Sequence, residues 1–137
     1  MLSKKTQYAL KALGHLATRY NEGPILINDI SIKEKIPLKF LETILLELKK
    51  AEILASKKGK GGGYYLKAEP EFTSLAKVMR VVEGPIAMLP CISLNFYKSC
   101  DDCEEATCRI NGVFAEVRDA TLNILERKTL KDLVETQ

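Results

Sequence analysis

The sequence predicts a mainly α-helical chain with one small β-hairpin and a long amphipathic helix near its C-terminus. Three observations carry that prediction. Apolar residues recur at three- and four-residue steps along most of the 137 residues. A basic, glycine-rich run, Lys57-Lys58-Gly59-Lys60-Gly61-Gly62-Gly63, separates two short β-type stretches. Near the end, a stripe repeats at close to 3.5-residue spacing.

Composition narrows the class. A hydrophobic content of 46% with 28% charged residues is that of a folded globular chain rather than a disordered one. The length suits one modest core plus an appendage. No stretch approaches the ~18 apolar residues that span a bilayer, and Met1-Leu2-Ser3-Lys4-Lys5 does not open an export signal, so no membrane partner and a cytoplasmic location are expected. In a reducing cytosol, clustered cysteines serve as metal ligands or redox groups more often than as structural disulfides. The net charge of +3 conceals a split. Residues 1–67 hold 13 Lys/Arg against 6 Asp/Glu, and residues 68–137 hold 8 against 12. The basic front half points to a polyanion.

The first helix is expected over residues 4–20, with Ala9, Leu10, Leu13, Leu16, Ala17 and Tyr20 on one face and Asn21-Glu22-Gly23-Pro24 stopping it. His15, the one histidine, reads as an ordinary surface or partly packed residue. A second helix draws its apolar side from Ile27, Ile30 and Ile36, with Asn28 or Asp29 near its start and Pro37 beyond its end. A third runs from about Leu38 to Lys50. Its apolar stripe is Phe40, Leu41, Ile44, Leu45 and Leu48; Lys39, Glu42, Thr43 and Lys49 face outward. Two short helices around an Ile-Pro turn match a helix-turn-helix, whose second helix enters the major groove by its N-terminal residues.

The segments Ile53-Leu54-Ala55-Ser56 and Tyr64-Tyr65-Leu66 then read as strands joined by the glycine-rich run. A basic hairpin after a helix-turn-helix describes a wing, with lysines drawn to phosphates or to a narrow minor groove. A nucleotide-phosphate loop is excluded by its spacing and by the strand that follows it. Next, Thr73 or Ser74 caps a helix carrying Leu75, Val78, Met79 and Val82, which Gly84-Pro85 ends. From about residue 107 a long helix presents Ile110, Val113, Phe114, Val117, Thr121, Ile124 and Leu125. The first 84 residues already suffice for a core, so this surplus stripe favours dimerisation. Residues 128–134 form a last short helix folded back on the body.

All four cysteines lie in residues 91–108, spaced C-x8-C-x2-C-x4-C as Cys91, Cys100, Cys103 and Cys108. Four thiolates suit zinc or an iron–sulfur cluster. Only Cys100 and Cys103 form the C-x2-C hook usual for structural zinc, and the uneven spacing suits a loop around a larger cluster at least as well. Asp101, Asp102, Glu104 and Glu105 add negative charge that would lower the potential of an anionic cluster. A thiol/disulfide switch is the alternative.

The run Tyr8-Ala9-Leu10-Lys11-Ala12-Leu13, the segment LKFLETILLELKKAEIL from Leu38 to Leu54, the wing Lys58–Tyr64, Val82-Glu83-Gly84-Pro85 and Thr129-Leu130-Lys131-Asp132-Leu133 together resemble the Rrf-two family of winged-helix transcription regulators. The iron–sulfur regulators IscR and NsrR belong to that family. The resemblance covers nearly the whole chain. It implies a homodimer in which each long helix crosses its partner and each winged helix reads half an operator. It also implies a cluster held by three cysteines and a non-cysteine ligand. That ligand is a histidine in IscR, where this chain has Asn111, and an acidic residue from the first helix in NsrR, where it has Gln7. Neither is a good ligand, and this chain has a cysteine more than the family's three. Cys91, Cys100, Cys103 and Cys108 are therefore expected to complete the site.

The expected architecture is a winged helix-turn-helix over residues 1–85, a cysteine-rich loop over 86–108, and a dimerisation helix with a tail helix over 109–137. Lys39, Phe40, Glu42 and Thr43 would face base edges, with Glu42 able to accept from cytosine and Lys39 to reach guanine or phosphate. Lys57, Lys58, Lys60 and Gly61 would serve the wing. Ile110, Val113, Phe114, Val117, Thr121 and Ile124 would form the dimer seam. The expected activity is regulation of transcription, as a repressor on an imperfect palindrome in double-stranded DNA, with the cysteines sensing iron–sulfur, redox or nitric oxide status. The expected cofactor is an iron–sulfur cluster, 2Fe-2S ahead of 4Fe-4S, with zinc as the alternative. A cluster carrier docking an acidic protein is a third reading. No acid/base pair, nucleophile–base set or cofactor loop suggests an enzyme.

Overall fold

The computed structural model describes residues 2–99, 104 and 108–135. Helix α1, Lys4–Thr18, starts at Ser3, whose side-chain oxygen accepts from the Thr6 N–H. It buries Ala9, Ala12, Leu13, Leu16 and Ala17. The helix stops two residues short of the expected end. Asn21 and Gly23 take positive φ, and Tyr20 packs against the core from outside the helix.

Helices α2, Ile27–Glu34, and α3, Leu38–Lys50, form the helix-turn-helix. Ile36 belongs to the turn, not to α2: Lys35 is left-handed at φ 56, and Ile36 donates its N–H to Ser31 O at 3.0 Å. This αL exit satisfies end carbonyls while Ile36 plugs the core. Neither Asn28 nor Asp29 caps α2; Leu26 occupies that position without a side-chain bond. In α3, Leu41, Ile44, Leu45 and Leu48 are fully buried. Phe40, expected in that stripe, lies outside it at 41% exposure.

Strands β1, Leu54–Lys57, and β2, Gly63–Leu66, pair antiparallel with Leu54 opposite Leu66 and Lys57 opposite Gly63, each beginning one residue from its expected start. Ile25 adds an isolated antiparallel bridge to β2 by exchanging backbone bonds of 2.8 Å with Tyr64. Gly63 permits this approach: a Cβ there would lie 2.3 Å from the Ile25 carbonyl oxygen.

Helix α4, Leu75–Val82, is capped by Ser74 rather than Thr73. It buries Ala76, Val78 and Val82, so Leu75 and Met79 lie at the edge of its inner face. Helix α5, Asn111–Arg127, begins later than its apolar pattern suggests and buries Leu122 against α4 and the 3-10 turn Pro90–Ile92. Helix α6, Leu130–Glu135, returns to α1 with Leu130 fully buried. The return is fixed by Leu75 N–H to Lys128 O at 2.9 Å and Leu130 N–H to Thr73 O at 3.1 Å. The Asp132 carboxylate accepts from Thr129 N–H at 2.8 Å, one arm of a capping box. Among the described residues, no helix is long and apolar enough to cross a membrane.

Candidate nucleic-acid interface and cysteine segment

Packing of the α3 stripe turns its other side outward, and Lys39, Phe40, Glu42 and Thr43 are all exposed there. The Thr43 hydroxyl donates to its own helix at Lys39 O, 3.3 Å, leaving its oxygen free to accept. Phe40 meets Tyr8 of α1 edge to face, with ring centroids 5.6 Å apart, and Lys4 Nζ stands 5.7 Å from the Tyr8 ring centroid. Tyr8 thus buttresses the start of α3. The sequence alone gives Tyr8 no such part, because the pairing spans two helices and has no local signature.

On the wing, Lys57, Lys58, Lys60 and Gly61 are exposed. Among the described residues, no ion pair holds Lys39, Lys57, Lys58 or Lys60, whereas Lys5 is paired with Glu47 at 2.8 Å. These free ammonium groups give the reading helix and wing the charge that attracts phosphates.

At the far end of α4, Glu83 accepts hydroxyl bonds from Ser3 at 2.6 Å and from Thr6. The Ser3 hydroxyl first, and then Thr6, hold its carboxyl below the usual range. The cysteine segment starts just beyond this link.

Cys91 sits half-exposed in the turn Pro90–Ile92. Asn111 Nδ2 donates to its sulfur at 3.5 Å. Arg118 Nη1 donates to Ile92 O at 2.6 Å and pairs with Asp119 at 2.8 Å. Cys108, also half-exposed and free, lies three residues before Asn111. Both outer cysteines therefore come to the start of α5. Cys100 and Cys103, with Asp101, Asp102 and Glu105, lie outside the described residues. Among the described residues, no three His, Cys, Asp or Glu side chains gather as metal ligands. Cys91 and Cys108 are neither sealed in the core nor bonded to one another, so both thiols are open to a ligand or to oxidation. His15 is engaged by Glu34 of α2 at 3.2 Å, and Gln7 donates to Leu2 O at 3.1 Å.

On the outer face of α5, Ile110, Val113, Val117 and Ile124 are 51%, 60%, 38% and 50% exposed, while Phe114 and Thr121 are half-buried. Leu122, absent from the expected stripe, faces the opposite way into the fold.

The sequence of residues 2–136 matches the family profile Rrf2, described as iron-dependent transcriptional regulator. The chain belongs to the Rrf2 family. It is accordingly a winged-helix transcriptional regulator and not an enzyme. This Rrf2 chain is 44% identical to a Rhodobacter capsulatus protein named as an Rrf2-like HTH-type transcriptional regulator, over 98% of this chain and 92% of that one. It is 30% identical to the HTH-type regulator CymR of Bacillus subtilis, over 96% and 88%. The solved structure of that CymR, described as the global cysteine regulator of B. subtilis, superposes with a TM-score of 0.82 over 100% of this chain and 98% of CymR. IscR of T. potens shares the fold, with a TM-score of 0.78 at 24% identity over 99% and 87%.

Proposed function

We propose that this Rrf2 regulator is a homodimer that represses transcription from an imperfect palindrome and adjusts its grip on DNA to the state of its cysteine segment. The observation that carries the sensing is the attachment of the Cys91 turn to α5, the helix whose other face bears the exposed apolar stripe. A change at the cysteines would act on the element that spaces the two reading helices, which is the form of a two-state switch. Residues 1–85 read DNA, 86–108 sense, and 109–137 supply the seam and the returning tail.

Lys39, Phe40, Glu42 and Thr43 face the bases, and Lys57, Lys58, Lys60 and Gly61 face the backbone or minor groove. Ile110, Val113, Phe114, Val117, Thr121 and Ile124 meet their copies across the seam. Cys91, Cys100, Cys103 and Cys108 hold an iron–sulfur cluster, 2Fe-2S ahead of 4Fe-4S, in preference to zinc; the family's description as iron-dependent supports iron. The cluster would supply redox chemistry and sensitivity to oxidants and nitric oxide. The experiment is anaerobic purification followed by a visible spectrum and analysis for iron, sulfide and zinc, with operator affinity measured on loaded and stripped protein. Colourless, iron-free protein would sink the cluster.

A thiol switch on the same scaffold is the second reading. Two free, half-exposed cysteines converging on one helix end support it, as does the description of CymR as a cysteine regulator. It requires iron-free protein whose operator affinity changes with thiol oxidation. The cluster-carrier reading gives way to membership in a family of transcriptional regulators.

A further inference from the structure

Between the end of α1 and the wing lies a cleft of about 490 Å³, within the range of about 300–1,000 Å³ usual for small-molecule sites. Leu16, Ile25 and Leu66, each no more than 5% exposed, give it an apolar floor. Tyr20 and Tyr65 add two phenol rings, and Ser56 adds a hydroxyl. The walls are fixed by backbone. Arg19 closes α1 at its C-cap, and Asn21 and Gly23 turn the chain at φ 69 and 94. Ile25 then ties it to β2 through two 2.8 Å bonds with Tyr64. A site shaped before its ligand arrives loses less on binding.

The charge on the rim has one sign. Arg19, Lys57 and Lys67 line the cleft, and no acidic side chain does. Among the described residues, no ion pair holds Arg19 or Lys57, and Lys67 meets the well-exposed Glu52 at 3.8 Å. The adjacent groove between α1 and α2, about 400 Å³, differs: there Asp29 and Glu34 stand beside Arg19 and Lys33, and the charges offset. A cationic rim over an apolar floor fits a small anion with an apolar body. Arg19 suits a carboxylate or phosphate head, because its guanidinium donates in a planar fork. A DNA backbone would use the cations but has no use for the buried floor.

We propose that this cleft binds a small organic anion, a carboxylate or phosphate carried on an apolar body, and that the bound anion weakens the grip on DNA through Lys57. Lys57 lies at the end of β1, opposite Gly63, where it borders both the cleft and the wing loop. An anion paired with its ammonium group withdraws that charge from DNA phosphates. Ligand and DNA then oppose each other, and each lowers the affinity for the other by the same factor. The effect on DNA rests on the reading of Lys57 as a wing contact. Binding of the anion does not.

The test uses the full chain with phenylacetate, hexanoate and phenyl phosphate as probes. Phenylacetamide serves as the neutral control and inorganic phosphate as the anion without a body. Calorimetry should show saturable binding of at least one organic anion, and comparison of the carboxylates with the ester tells which head is preferred. Neither control should bind comparably. Arg19→Ala should weaken binding about tenfold, the scale of one charge-assisted hydrogen bond, whereas Lys50→Ala, exposed and outside the cleft, should not. At constant ionic strength, saturating anion should lower the affinity for double-stranded DNA several-fold in the parent and less in Arg19→Ala. Absence of binding by all three probes, equal binding of the amide, or unchanged binding in Arg19→Ala overturns the site. Anion binding that leaves DNA affinity unchanged overturns the competition. Weakened DNA binding by Arg19→Ala without any ligand makes the cleft part of the DNA interface, again against the proposal. A ligand-free parent that binds no DNA removes the reading of the wing, while calorimetry still decides the site.

Discussion

The Glu83 carboxylate at the end of α4 accepts the Ser3 hydroxyl at 2.6 Å, tying the cap of the first helix to the residue just before the cysteine segment. The same carboxylate takes the Thr6 hydroxyl. Both donors favour the charged form, so the folded-state pKa lies below the unfolded one. The stabilisation is therefore fully present above the unfolded carboxylate value of about 4.3 and fades as pH falls through the folded value. Glu83→Gln should cost no more than about 1 kcal/mol at neutral pH, because the carboxylate stays open to water. Thermal melts of the two proteins should draw together as pH falls through the lowered folded-state value. A gap that persists undiminished in acid would remove the charge from the account.

Gly63 and Gly59 separate two costs of adding a methyl group. At Gly59, φ is +87 and the space is open, so Gly59→Ala should cost about 1–2 kcal/mol from backbone strain alone. At Gly63, φ is +142 and the new Cβ would collide with Ile25 backbone. Gly63→Ala should cost about 3 kcal/mol or more and loosen the Ile25–Tyr64 bridge. Denaturant midpoints, with hydrogen exchange at Ile25 and Tyr64, check both. Equal losses at the two positions would contradict the close approach.

Lys58→Ala with Lys60→Ala should weaken binding to all DNA alike and reduce the dependence of log affinity on log salt by about 4 for the dimer, roughly one unit for each of the two lysines in each of the two wings. Glu42→Ala should change base preference more than overall affinity. Binding titrations across a salt series would expose a wrong wing assignment through an unchanged slope.

Val113→Asp or Val117→Asp would place an unpaired charge in a two-fold seam, at a cost on the order of several kcal/mol. Sedimentation should find monomer, with loss of tight operator binding. Because both side chains are exposed in the single chain, subunit stability should barely change. A dimer that survives either substitution would put the stripe to another use.

Serine at any one of Cys91, Cys100, Cys103 or Cys108 should lower anaerobic cluster occupancy, whereas Gln7→Ala should not. Cys100 and Cys103 are the sharpest case, since neighbouring thiols can substitute for one another. Unchanged iron, sulfide and spectrum after serine replacement at either would remove that residue from the ligand set and return the site to three cysteines with an outside partner.

Much of this regulator is written in short-range pattern. The apolar residues of α3 recur at helical spacing, Ser74 precedes the α4 run, and lysines and glycines stand between two β-type stretches; each signal lies within a turn or two of what it specifies. The boundaries moved where backbone geometry competes with periodicity, as at α1, which ends before its apolar pattern does, and at Ile36, which a left-handed Lys35 places in the turn. What only the tertiary structure decided are contacts between residues far apart in sequence: Tyr8 under Phe40, Ser3 and Thr6 on Glu83, Ile25 against Gly63 and Tyr64, and Asn111 on Cys91. The same applies to the two faces of α5. Its apolar pattern marks a stripe, but only packing against α4 and the Cys91 turn shows that Leu122 faces inward while Val113 and Ile124 stay exposed. Periodicity records which residues share a face of one helix. Which surface that face meets depends on how distant segments pack, and no local spacing encodes that.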